Sequence, residues 1–130
     1  MAKDSILGAS KVVAFVPVTD AAKARAFYEG VLGLRLVEDE KSFALVFDAN
    51  GTMLRVTPVG EHKPEPFTVL GWDVESIDTT VQRLTAAGVA MLRFPGMNDG
   101  DPLGIWNAPG GARIAWFNDP DGNVLSVTEF

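Results

Sequence analysis

The segment Gly51-Thr52-Met53-Leu54-Arg55-Val56-Thr57 returns 71 positions later as Gly122-Asn123-Val124-Leu125-Ser126-Val127-Thr128. Each copy closes an Asp-containing turn that follows an apolar, aromatic-bearing strand pattern. A motif doubled inside a chain of 130 residues points to two small supersecondary units that share one sheet. The binding site is expected between them.

The chain is 47% hydrophobic, which suits one domain, since a domain of this size buries roughly 65–70% of its unfolded surface. The formal charge of −6 opposes the phosphate neutralisation on which nucleic-acid binding depends, so no nucleic-acid partner is expected. With no cysteine there is no disulfide framework, no thiolate metal site and no cysteine nucleophile. The longest apolar runs are broken by Pro17, Gly71 and Asp73, short of the ~20 residues a spanning helix needs. A cytoplasmic protein with no membrane association is expected.

The apolar run Val12 to Val16 ends at Pro17, and Asp20 stands where an N-cap would hold the first helical amides. The spacing of Ala22, Phe27, Tyr28, Val31 and Leu32 predicts a helix, with Gly33 to end it in a left-handed conformation. Strands are predicted over 34–39, 43–48 and 53–59, with 48–51 as a hairpin turn. Pro64 and Pro66 mark a linker over 60–66. A second unit follows: a strand over 67–74, a helix capped by Ser76 or Asp78 with Ile77, Val81 and Leu84 buried, then a strand over 89–94. The polar stretch 95–103 predicts a mobile loop rather than core. Further strands are predicted at 105–106, 112–117 and 124–130. The expected fold class is α+β: two βαβββ modules, over 11–59 and 67–130, within one domain spanning 1–130.

Three stretches carry a resemblance to a known family: Asp20 with Phe27-Tyr28-Glu29-Gly30-Val31-Leu32-Gly33-Leu34, then Gly71-Trp72-Asp73-Val74, then Asp119-Pro120-Asp121-Gly122-Asn123. Together they resemble the vicinal oxygen chelate superfamily, which groups glyoxalase I, extradiol dioxygenases, and bleomycin and fosfomycin resistance proteins. The resemblance implies an open, cup-shaped, mixed or antiparallel sheet, with metal ligands on the first and last strand of each module in the metal enzymes. Those four positions fall here at Val13, Arg55, Val69 and Ser126. Valine offers no lone pair, serine is a weak neutral ligand and guanidinium is a permanent cation, so no metal and no cofactor are expected.

The resemblance therefore implies metal-independent binding of a small organic molecule in an apolar cup, by a homodimer with twofold symmetry. The competing reading is a metal-dependent lyase, isomerase or dioxygenase with a displaced site, built from acids such as Asp48, Glu65 or Glu129 with His62. A third is a partner or scaffold protein whose cup is filled by its own side chains. Arg55 shares a strand face with Met53 and Thr57; it either pairs with an acid at a strand edge or binds an anionic oxygen in the cup. Ser126 is a hydroxyl donor or a small spacer, and Trp106 is a candidate stacking surface for a planar ligand. Trp72 and Trp116 read as core or sheet-packing residues, Arg93 and Arg113 as surface cations or substitute anion contacts, and His62 as a solvated linker residue. The run Glu38-Asp39-Glu40 reads as a solvated turn.

Overall fold

The computed structural model describes residues 5–130. Strand β1 (Val13–Val18) leads into helix α1 (Ala21–Arg25), where Asp20 accepts a hydrogen bond from the Lys23 amide at 3.0 Å and so satisfies a donor the helix itself leaves free. The helix then widens into a π-helical segment over Ala26–Val31, closed by the Leu32 amide on the Phe27 carbonyl at 2.9 Å. Both Phe27 and Tyr28 are buried from this widened segment, and Gly33, at φ +76°, ends it.

Strands β2 (Arg35–Asp39), β3 (Leu45–Ala49) and β4 (Thr52–Pro58) follow. Asn50 and Gly51 both take positive φ, 50° and 96°, the combination whose twist matches flanking antiparallel strands. After the linker come β5 (Thr68–Asp73), α2 (Ile77–Ala86), β6 (Trp106–Asn107), β7 (Arg113–Asn118) and β8 (Val124–Glu129). Ser76, rather than Asp78, caps α2. The two sheets have matching orders, β1-β4-β3-β2 and β5-β8-β7-β6, each with its first strand parallel to its last and the rest antiparallel. The repeated heptapeptide is thus the turn and central strand of each sheet. Strands β1 and β5 lie side by side, and no helix among the described residues is long and apolar enough to cross a membrane.

One apolar core serves both halves. It combines Val16, Leu54 and Val56 from the first sheet, Phe27 and Tyr28 from the first helix, Ile77 and Val81 from α2, and Phe117 and Leu125 from the second sheet. Phe27 meets Phe117 across the modules at a centroid separation of 6.3 Å. A polar network fastens the same seam. The Asp119 carboxylate, 5% exposed, accepts from the Tyr28 hydroxyl at 2.8 Å, from the Asn123 side chain at 2.8 Å, and from the Asp121 and Asn123 amides at 3.0 and 2.9 Å. Asn123 also donates to the Pro17 carbonyl at 2.8 Å, and Asp121 accepts from the Thr19 amide and hydroxyl at 3.0 and 2.5 Å. His62 is no solvated loop residue: its Nε2 lies 2.6 Å from Asn123 Oδ1. Because the Asn123 amide nitrogen already donates twice, its oxygen accepts, and His62 is the donor.

Two predictions for the second module are corrected. Residues 89–94 form no strand; Met91 makes an isolated bridge to Phe117, and the Leu92 amide bonds the Trp116 carbonyl at 2.8 Å. The stretch 95–103 is no loose polar loop, because it folds around Asn98, whose exposure is 1%. Asn98 accepts from the Phe94 amide at 2.7 Å and donates to the Leu92 and Gly104 carbonyls at 2.9 and 2.7 Å. Arg93 donates to the carbonyls of Asn98, Asp101 and Pro102, and Asp101 accepts from the Leu103 and Ile105 amides. Residues that would have bonded along a sheet edge are committed to closing this loop.

Burial, followed by the adjacent Asp119 carboxylate, pushes the Tyr28 phenol far above its ordinary value of 10.0. In the unfolded chain the phenol ionises near that value, whereas in the folded chain it stays protonated, so stability falls as pH rises beyond it. Tyr28 is the only tyrosine, so phenolate absorbance reads this group alone. We expect that absorbance to appear together with loss of far-ultraviolet helix signal at alkaline pH, not before it. Tyr28→Phe should lower stability at neutral pH by about 1–3 kcal/mol, measured by urea unfolding, because it leaves a buried carboxylate oxygen short of a donor.

Candidate functional site

Strand alternation divides each sheet into a helix-covered face and an open face. On β4, Leu54 and Val56 are fully buried under the helices while Met53, Arg55 and Thr57 face the other way. Their partners in register are Val13, Phe15 and Pro17 on β1, and Val46 and Asp48 on β3. On the second sheet Ala115, Phe117, Leu125 and Val127 are buried, which leaves Trp116, Ser126 and Gly71 on the open face, with Trp106 joined in register to Ile114.

The open face of the first sheet is apolar and uncovered. Phe15 is 63% exposed, and Val13, Met53 and Val37 are partly exposed beside it. A hollow of about 390 Å³ lies elsewhere, on the helix side; the one on this face measures about 310 Å³ and is lined by Val13, Val37, Val46 and Met53 with Arg35 and Asp48 at its border. The second sheet presents aromatic rings instead. Trp106 and Trp116 lie 6.1 Å apart with a 35° tilt, and Phe94 meets Trp116 edge-on at 5.3 Å. Trp116 therefore belongs to the open face and not to the core, and its indole donates to Thr68 Oγ1 at 3.1 Å. Trp106 also borders a wide hollow against the 96–101 loop.

Arg55 does face this surface, and it pairs with an acid, one of its two expected roles, although β4 is an inner strand and the partner, Glu40, reads from the sequence as a solvated turn residue. Its Nη2 donates to Glu40 Oε1 at 2.5 Å, and the two side chains are only 26% and 27% exposed. Glu40 is thus an ion-pair partner rather than a solvated turn residue; the signal was its place just beyond β2, on the strand two over from β4. Ser126 is buried against Gly71, where a side chain would meet its Oγ at 2.6 Å, so glycine is what allows the hydroxyl to lie there. Val69 is the extra residue of a β-bulge between Thr68 and Leu70, the kind of irregularity that re-aims a side chain.

Arg113 is not with them. It lies on the helix face and forms a two-pronged pair with Asp78 of α2, at 2.6 and 3.1 Å, with Glu129 at 4.0 Å. The guanidinium holds the Asp78 carboxyl below its ordinary value. Arg93 is exposed, and its guanidinium is committed to the carbonyls of the 98–102 loop.

The four positions that would carry metal ligands do not make a donor set: two valines, a serine packed on glycine, and an arginine already neutralised by a carboxylate. The acids of the displaced-site reading do not gather either. Asp48 is held below its ordinary value by the Gly51 amide and then by Arg35, Glu129 accepts from the Ile77 amide on the helix side, and His62 is bonded to Asn123. Among the described residues no three His, Cys, Asp or Glu side chains come together as a metal site would require.

The sequence matches the Glyoxalase/Bleomycin resistance protein/Dioxygenase superfamily over residues 10–127. The chain belongs to that superfamily. Its fold is similar to that of a superfamily member from Sphaerobacter thermophilus, at 27% identity and a TM-score of 0.68, covering 92% of this chain and 97% of the other. It is also similar to lactoylglutathione lyase from Agrobacterium tumefaciens, at 20% identity and a TM-score of 0.71 over 92% and 93% of the two chains. A third similar structure is TioX from Micromonospora, at 22% identity and a TM-score of 0.69 over 92% and 98%. No curated protein matches the sequence.

A double-mutant cycle tests the Arg55 and Glu40 pair. Arg55→Met alone strands a half-hidden carboxylate, and Glu40→Leu alone strands a guanidinium, whereas the double variant strands neither. We expect a coupling of roughly 1–2 kcal/mol in urea unfolding, between the values of exposed and buried pairs.

Proposed function

We propose that this protein binds a small, planar organic molecule without a metal, in a cup formed by the open faces of its two sheets. The observation that carries this reading is the pairing of an exposed aliphatic and phenylalanine surface on one sheet with three packed aromatic rings on the other. Exposed apolar surface of this kind marks a binding face, and aromatic rings offer a large contact area at little conformational cost. The Arg55 and Glu40 pair gives the face a polar point that either orients a hydrogen-bonding ligand or exchanges Glu40 for a ligand carboxylate.

The cup is completed by a second copy of the chain. The hollow on the first sheet is lined by first-module residues and the hollow beside Trp106 by second-module residues, so one chain does not close either of them with the other module. A twofold dimer that sets the first module of one chain against the second module of its partner would cover both apolar faces at once. The protein acts in the cytoplasm, apart from membranes and nucleic acid, in keeping with its net charge of −6.

Tryptophan fluorescence titration against planar aromatic acids and heteroaromatic antibiotics provides the test. Saturable quenching is expected, unchanged by a chelator, and Trp106→Ala should weaken it by roughly 0.5–1.5 kcal/mol. Sedimentation should give a dimer. Quenching that needs an added divalent ion, or an unresponsive cup in a monomer, would overturn the reading.

A further inference from the structure

The helix side of the molecule carries a second cavity, of about 390 Å³, that the open-face site does not use. Both modules build it. Val31, Leu32 and Leu34 come from the end of the first helical segment and the approach to β2; Trp72 and Val74 come from β5 and its exit; Phe117 and Val127 form the floor. One stripe of α2, Thr80, Arg83, Leu84 and the capping Ala87, closes the remaining wall, at the three-to-four spacing that puts side chains on one helix face. The size falls within the roughly 300–1,000 Å³ typical of small-molecule sites.

Two of the lining residues carry donors that find no acceptor among the described residues. Arg83 pairs with no carboxylate among the described residues, in contrast to Arg25, Arg35, Arg55 and Arg113. The indole N–H of Trp72 likewise finds no acceptor among them, whereas that of Trp116 bonds Thr68. Since no buried side-chain nitrogen among the described residues lacks a partner, the Trp72 nitrogen opens onto accessible space. Thr80 is already bonded to the Ser76 carbonyl at 2.8 Å and adds no directed donor. Asp73 also borders the cavity, and strand alternation turns its carboxylate to the face opposite Trp72.

An apolar chamber with one guanidinium and one indole donor has a definite complement. We infer that this cavity is a second binding site, for a compact carboxylic acid with an aromatic or branched apolar body. The body fills the space among Leu32, Leu84 and Phe117, and the carboxylate accepts from Arg83 and Trp72. The negative charge of the whole chain does not decide against this, because distant charges are screened within about 8 Å at physiological salt while a direct guanidinium contact is not. Occupancy would bridge the first helical segment and α2 across the module seam.

The three tryptophans give three separate indole N–H signals in a two-dimensional nitrogen-proton spectrum, and Trp72→Phe assigns the relevant one. Phenylacetate is the probe. A saturable shift of the Trp72 signal is expected, weakened roughly tenfold by the exposed-residue variant Arg83→Gln, consistent with loss of a charge-assisted hydrogen bond, and partly restored by Arg83→Lys. Ala87→Phe should abolish it by filling the chamber. An unmoved Trp72 signal, or equal affinity in Arg83→Gln, overturns the inference. Shifts confined to Trp106 and Trp116 overturn it too, while supporting the open-face site; loss of open-face binding alone leaves the Trp72 titration as it was.

Discussion

Two βαβββ units of this size hold together because a buried carboxylate ties them at their seam. Asp119 stands in the turn before β8, yet its strongest commitments reach the first module through Tyr28 and, by way of Asn123, the Pro17 carbonyl. A carboxylate is costly to bury unless its lone pairs are all engaged, and here four donors engage it. That arrangement fixes where β1 ends relative to where β8 begins, and so fixes how the two open faces stand to each other. The linker is drawn into the same knot: His62 donates to Asn123, and Pro64 packs where a side chain on Gly122 would have to be. The aromatic pair in the first helix and the Asp-rich turn near the end of the chain are thus two halves of one structural device.

The proposed open-face cup lies on the opposite side of the sheets from that device. The open faces keep Phe15, Met53 and the tryptophan pair uncovered, while among the described residues every buried side-chain polar atom has a partner. On the open face of the first sheet Arg55 stands with its own counter-ion, Glu40.

Much of this was legible because it depends on local chemistry. Asp20, Ser76, Gly33 and Gly88 punctuate both helices as their types require, and the Asn50-Gly51 turn has the conformation its residues favour. The doubled heptapeptide located the central strand of each sheet. What the sequence concealed depends on contacts remote along the chain. Glu40 reads as one of three consecutive acids until β2, β3 and β4 bring it to Arg55. Trp116 reads as core because its strand is apolar throughout, and only the register with Ser126 shows that it faces outward. Residues 89–94 have strand composition, but Arg93 and Asn98 compete for the nearby backbone and close a loop instead. His62 looked isolated because its partner is 61 residues away.

The proposed metal-free cup requires that Val13, Arg55, Val69 and Ser126 hold no divalent ion. Calorimetric titration of chelator-treated protein with zinc, manganese, nickel and ferrous ions measures this directly. The expected result is no saturable binding at one ion per chain with any of the four. Stoichiometric binding that is abolished by Ser126→Ala, or tightened by Arg55→Glu no more than an existing site would be, contradicts it and restores a metal to the open face.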